Sequence, residues 1–171
     1  MIKYLGSKRL LTGAIVAAAR ALGARSAVDL FSGTARVGRA LKAAGLYVTA
    51  NDHLAFAQVL ARCYVEADLC EQRERAARLI EELSRVPPRE GYFTRTFCVE
   101  ARYLQPHNGA RVDAIREAIR ERALPPVLEA IALTSLMEAA DRVDSTTGVQ
   151  MAYLSAGRPG ATTSSSCASP S

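Results

Sequence analysis

The stretch that decides the fold is Ala27-Val28-Asp29-Leu30-Phe31-Ser32-Gly33-Thr34. Ala27 to Phe31 is a short apolar run bounded by polar and small residues, the pattern of a buried strand. Ser32-Gly33-Thr34 then makes a tight turn into a helical stretch from about Ala35 to Ala44, closed by Gly45. Leu46 to Asp52 follows, rich in β-formers and ending in polar residues. Strand, turn, helix and strand together have the length of a parallel βαβ unit, so the chain is read as α/β. Upstream, Leu10, Leu11, Ala14, Ile15, Ala18 and Leu22 recur at helical spacing, which predicts a helix over 8–22 stopped by Gly23.

Downstream the pattern is helical. Leu54 to about Ser84 reads as one helix whose charge-laced second half has a solvated face. Val86-Pro87-Pro88-Arg89-Glu90-Gly91 breaks it, and Tyr92 to Arg111 reads as loop or short strand. Val112 to Arg122 and Val127 to Arg142 are read as two helices separated by Leu124-Pro125-Pro126. The expected organisation is a cofactor-type unit over 1–85, a helical region over 86–154, and a disordered tail over 155–171.

Composition narrows the function classes. The 171 residues are 49% hydrophobic and 23% charged, enough for a buried core. No apolar run approaches the roughly 18 residues that span a bilayer, and the N-terminus lacks an apolar signal core, so a cytoplasmic location is expected. Cysteines at 63, 70, 98 and 167 form no Cys-x-x-Cys pair, which fits scattered reduced thiols rather than a metal site. The net charge of +5 allows a nucleic-acid partner without demanding one.

Two acids frame the turn. Asp29 lies inside the first strand, and the small residues after it let backbone N–H groups approach a ligand closely. Asp52 ends the next strand, where a Rossmann-like unit places a carboxylate on ribose hydroxyls. Ala35 stands where a second glycine would complete the fingerprint. The same residues also fit a plain turn glycine and a helix N-cap.

The combination with Tyr4-Leu5-Gly6-Ser7-Lys8 separates these readings. Tyr-Leu-Gly-Ser-Lys, Asp-Leu-Phe-Ser-Gly-Thr and Ala-Asn-Asp, in this order, resemble the Dam-type adenine-specific (N6) DNA methyltransferases over roughly residues 1–154. The resemblance implies a Rossmann-like methyltransferase fold with a helical recognition region, S-adenosylmethionine as cofactor, and double-stranded DNA as partner. It leaves room for a restriction endonuclease in the same system. It places Tyr4, Lys8, Asp29, Phe31, Ser32, Gly33, Thr34 and Asp52 at the cofactor. It puts Arg95, Arg102, Asn108 and Arg111 in the DNA-recognising region, where Tyr92 and Tyr103 offer rings for stacking; the competing reading is that Arg102 and Arg111 simply pair with Glu100 and Asp113.

The family's Asp/Asn-Pro-Pro-Tyr/Phe motif, which holds the flipped adenine, is absent: Pro87-Pro88 and Pro125-Pro126 lack both flanking residues. No catalytic residue is therefore assigned, and the chain is expected to be catalytically incomplete. Ser155 to Ser171 turns abruptly to Ser, Thr, Gly, Pro and Ala, while a one-base shift of a GC-rich coding choice restores a globular mixture, so a frameshifted tail is expected. In the family the catalytic strand lies beside Ala27–Phe31; without it that strand is an exposed edge, and weak cofactor binding is expected. The rivals are a non-catalytic nucleic-acid-binding or regulatory module and a nicotinamide-dependent protein, the latter disfavoured by Ala35.

Overall fold

The computed structural model describes residues 8–144. Tyr4 and the tail over 155–171 lie outside the described residues. A single 3₁₀ turn, Lys8–Leu10, leads into α1 (Thr12–Ala21). Gly23 stops that helix at φ +63°, with its N–H bonded to Arg20 O and the Ala24 N–H to Ala19 O. The packing face of α1 is Ile15, Val16 and Ala19, set against Val37, Leu41 and Leu46. Of the expected apolar stripe only Ile15 lies on that face; Leu10, Leu11, Ala14, Ala18 and Leu22 are exposed, because the helix turns Val16 and Ala19 toward α2 instead.

The βαβ unit forms as read. β1 (Ser26–Asp29) pairs in parallel with β2 (Tyr47–Ala50), Ser26 opposite Tyr47 and Asp29 opposite Ala50. Between them α2 (Arg36–Ala43) buries Val37, Gly38 and Leu41 on one face of the sheet. Gly38 makes that approach feasible: a Cβ there would sit 3.0 Å from Val65 Cγ2 and 3.6 Å from Val48 Cγ1. β1 is not the buried strand its apolar run suggested. Val28 is 64% exposed, and Leu30 and Phe31, beyond the strand's end, are 60% and 79% exposed. Two strands give each only one neighbour, and α2 covers a single face, so apolar residues on the other side meet solvent.

The helix expected over 54–84 is two helices. α3 (Ala55–Ala61) runs into a π turn, Arg62–Glu66, and α4 (Leu69–Ser84) starts afresh. Asp68 caps α4, its carboxylate accepting the Cys70 N–H at 2.8 Å, and Lys42 Nζ holds the break by donating to Ala67 O at 2.7 Å. A second π turn, Thr94–Glu100, occupies the segment expected as loop or strand. α5 (Pro106–Glu121) begins earlier than expected, and α6 is Pro126–Arg142; both have proline in the first turn, where its missing N–H costs nothing.

The largest core lies among α4, α5 and α6, where Leu79, Leu83, Ile115, Ile119, Leu128, Ile131 and Leu136 are buried together. α6 serves both sides of the molecule. Its Met137 reaches the small core behind β2, and its Ala140 and Val143 reach the residues around the second π turn. The helical region and the βαβ unit thus share α6 as a common wall. The architecture is α/β and helix-rich, with a two-stranded parallel sheet among the described residues.

Candidate functional site

The ends of the two strands converge on the turn. Asn51 donates its N–H to Asp29 O at 2.9 Å and Ser32 donates its N–H to Asn51 O at 3.0 Å, so pairing continues past β1 to the turn itself. Gly33 then takes φ +51° and Ala35 φ +57°, both left-handed, with the Ala35 N–H bonded to Ser32 O. Ala35 keeps the conformation that glycine adopts most readily, which is why a missing glycine does not abolish the turn.

Asp52 closes the turn from the second strand. One of its oxygens accepts the Gly33 N–H at 2.8 Å and the other the Leu54 N–H at 3.0 Å. The Leu54 amide, then the Gly33 amide, hold its pKa below the usual carboxylate range. Asp52 is therefore an anion with unused lone pairs beside the turn. Asp52 is not the N-cap of α3: that position is Leu54, and Asp52 accepts the N–H of Leu54 itself from two residues upstream.

Asp29 is buried, 8% exposed, and among the described residues its Oδ2 has no hydrogen-bond partner; the same is true of Ser32 Oγ. Buried polar atoms without partners are uncommon in folded proteins. Lys8 reaches this point from the 3₁₀ turn, 3.7 Å from Asp29 Oδ1 and donating to Phe31 O at 3.1 Å. Asn51 Nδ2 donates to Leu30 O at 3.0 Å. Six of the expected cofactor residues, Asp29, Phe31, Ser32, Gly33, Thr34 and Asp52, thus lie on this turn and the two strand ends, with Lys8 beside them. A cleft of about 690 Å³ opens next to it, bordered by Ser32, Asn51, Asp52, Gln58 and Arg62 and running along the outer edge of β2.

The basic candidates separate. Arg95 and Arg102 are exposed on and just after the second π turn, Arg102 in a left-handed conformation at φ +56°. Tyr92 is exposed beside them, its ring edge-on to Phe97. Arg111 is half-buried, with its guanidinium donating to Ser84 O at 3.0 Å. Asn108 differs from them: it is 3% exposed in the first turn of α5.

Two arrangements have no signal in the sequence. Asp113 of α5 does not serve as a surface acid; its oxygens accept the N–H groups of Gly91, Phe93 and Thr94 and the Thr94 hydroxyl, clamping the start of the π turn. Tyr64 donates its hydroxyl to the buried Glu138, 74 positions away, at 2.6 Å.

Comparison with known proteins places the chain in a family. Residues 4–161 match the D12 class N6 adenine-specific DNA methyltransferase family. The chain belongs to that family. It is 32% identical over 166 residues to the Type II methyltransferase M.NlaIII of Neisseria lactamica, an alignment covering 90% of this chain and 49% of that protein. The chain thus spans about half the length of that curated relative. No solved structure matches it. The family match runs beyond Ser155, past the point where the composition changes. Among the described residues, no helix is long and apolar enough to cross a membrane, and no group of three or more His, Cys, Asp or Glu could hold a metal ion.

Proposed function

We propose that this chain forms the S-adenosylmethionine-binding and DNA-recognising part of an adenine-N6 DNA methyltransferase, with β1 and β2 as the first strands of a Rossmann-like sheet. The observation that carries the reading is the pair of acids at adjacent strand ends around a left-handed turn, Asp29 with a buried oxygen that has no partner among the described residues and Asp52 with its charge secured by two amides. These residues fit the cofactor. Asp29 and the Phe31 carbonyl suit an ammonium, the position Lys8 takes here, while Asp52 suits ribose hydroxyls. Gly33 and Thr34 expose backbone at the turn, and Phe31 offers a ring at its rim. The cofactor supplies an activated methyl group on its sulfonium. Arg95 and Arg102 present exposed cations to a phosphate backbone. Asp/Asn-Pro-Pro-aromatic does not occur in the sequence, so no residue here is assigned to binding the target amine.

Crosslinking with labelled S-adenosylmethionine, competed with unlabelled cofactor or with NAD, tests the reading, followed by gel shift on duplex DNA at two salt concentrations. Competition by S-adenosylmethionine but not by NAD is expected, with loss of labelling in Asp52→Ala. Competition by NAD at equal concentration, or undiminished labelling of Asp52→Ala, overturns it.

A further inference from the structure

Glu138 is a buried carboxylate, 6% exposed, the charged residue among the buried side chains of α6, which also buries the hydroxyls of Thr134 and Ser135. Burying an acid is costly unless its lone pairs are matched. Tyr64 Oη matches one oxygen at 2.6 Å, and the Arg142 guanidinium lies 4.0 Å from the other. Tyr64 is itself pinned, with the Arg39 guanidinium 5.3 Å above its ring. It stands on the first π turn, a geometry proteins keep mostly where a side chain must be placed accurately.

The surroundings give the pair its meaning. Tyr64 and Met137 pack on the small core formed by Ala35, Leu60 and Val65, so the back of the left-handed turn rests on them. About one helical turn further along α6, Ala140 and Val143 pack with Phe93, Cys98, Leu104 and Tyr103, the segment that carries Arg95 and Arg102. Met137 of α6 thus packs on the core that holds Ala35, while Ala140 and the C-cap residue Val143 pack on the arginine segment. The Tyr64–Glu138 bond is the polar fastening between them.

We infer that Tyr64 and Glu138 are positioning residues: their hydrogen bond fixes the cofactor turn and the arginine-bearing π turn in one mutual placement through α6. The functional meaning of the two ends rests on the reading in the preceding subsection, whereas the mechanical link stands on contacts alone. A buried polar pair specifies one arrangement where an apolar contact would tolerate several.

Hydrogen exchange read by mass spectrometry on the full chain tests this, with Tyr64→Phe, Glu138→Leu and Glu138→Gln. Tyr64→Phe keeps the ring under Arg39 but removes the hydroxyl that donates to Glu138 Oε1. Both Tyr64→Phe and Glu138→Leu are expected to speed exchange about tenfold at residues 32–35 and 94–104 together, the factor corresponding to one lost hydrogen bond of roughly 1.4 kcal/mol. α1 is expected to be unchanged. Glu138→Gln, which retains an acceptor, is expected to exchange like the parent, and the double variant Tyr64→Phe/Glu138→Leu no faster than either single one. Loosening confined to Tyr64 and α6, an equal rise throughout including α1, or a Gln variant as loose as the Leu variant each overturns the inference. A chain that takes up neither S-adenosylmethionine nor DNA yet shows the paired response discards the functional reading and supports the link.

Discussion

Replacing Asp113 with alanine isolates the clamp that sets the arginine segment. Four donors lose their acceptor: the N–H groups of Gly91, Phe93 and Thr94, at 2.8–2.9 Å, and the Thr94 hydroxyl at 2.6 Å. Gly91 and Phe93 are half-buried, so water replaces the carboxylate there at little cost. Thr94 is 1% exposed, and its two donors stay dry. Two unmet buried donors at about 1.5 kcal/mol each make the loss about 3 kcal/mol. For a chain of this size that is about 6–12 °C in the melting midpoint. Burial of Asp113 favours its neutral form, but the Thr94 hydroxyl and the Thr94, Phe93 and Gly91 amides outweigh it and hold the pKa below the usual value. A carboxylate depressed on folding stabilises fully above its unfolded pKa, near 4, and that contribution is lost as pH falls through the lower folded value. Circular-dichroism melts at pH 7, with urea midpoints from pH 6 down to pH 2, measure both effects. The parent and Asp113→Ala should differ most at neutral pH and converge in acid. A midpoint lowered by less than about 2 °C, or a gap that persists undiminished in acid, refutes the clamp.

Other substitutions probe different parts of the molecule. Gly109 faces Cys98 Sγ so closely that a methyl group has no room, so Gly109→Ala should destabilise by about 2 kcal/mol and Cys98→Ala in the same chain should recover most of it, measured by urea unfolding. Arg95→Ala and Arg102→Ala should each weaken duplex DNA binding and lower the slope of log K against log salt by about 0.9, whereas Asn108→Ala should leave that slope unchanged. Val28→Thr with Phe31→Ser removes exposed apolar surface at β1 and should reduce light scattering of the concentrated chain without lowering its melting midpoint.

What was legible in the sequence was local punctuation. Gly23 and Gly45, at φ +63° and +90°, stop the first two helices, and the intervals between them fix the βαβ unit. Asp29, Gly33 and Asp52 follow from that unit, because strand ends and the turn between them are set by neighbours along the chain. The π turns were not legible, since their irregular backbone bonds depend on what packs around them, and Cys98 against Gly109 is a contact between separate segments. The break at Asp68 did carry a signal, an acid two residues before Cys70 in a capping position, masked by apolar periodicity on both sides. Tyr64 with Glu138 and Asp113 with the Gly91–Thr94 segment join distant elements, and nothing in either local sequence specifies its partner.

Ala35 shows how the two kinds of determinant meet. A left-handed alanine costs roughly 1–2 kcal/mol relative to glycine, yet its methyl is fully buried in the small core it forms with Leu60 and Val65. Burying that methyl returns about 0.8 kcal/mol, so the packing offsets much of the backbone strain. Ala35→Gly trades one term for the other and should leave stability within about 1 kcal/mol of the parent, with cofactor binding intact. Ala35→Val keeps the strain, adds a β-branched side chain that resists the left-handed region, and has no space to fill. It should lose the turn, releasing the Gly33 N–H from Asp52, with cofactor labelling falling alongside stability. Equal cofactor labelling in the Val and Gly variants would mean that the left-handed backbone at this position does not shape the site, and the assignment of the turn would fail with it.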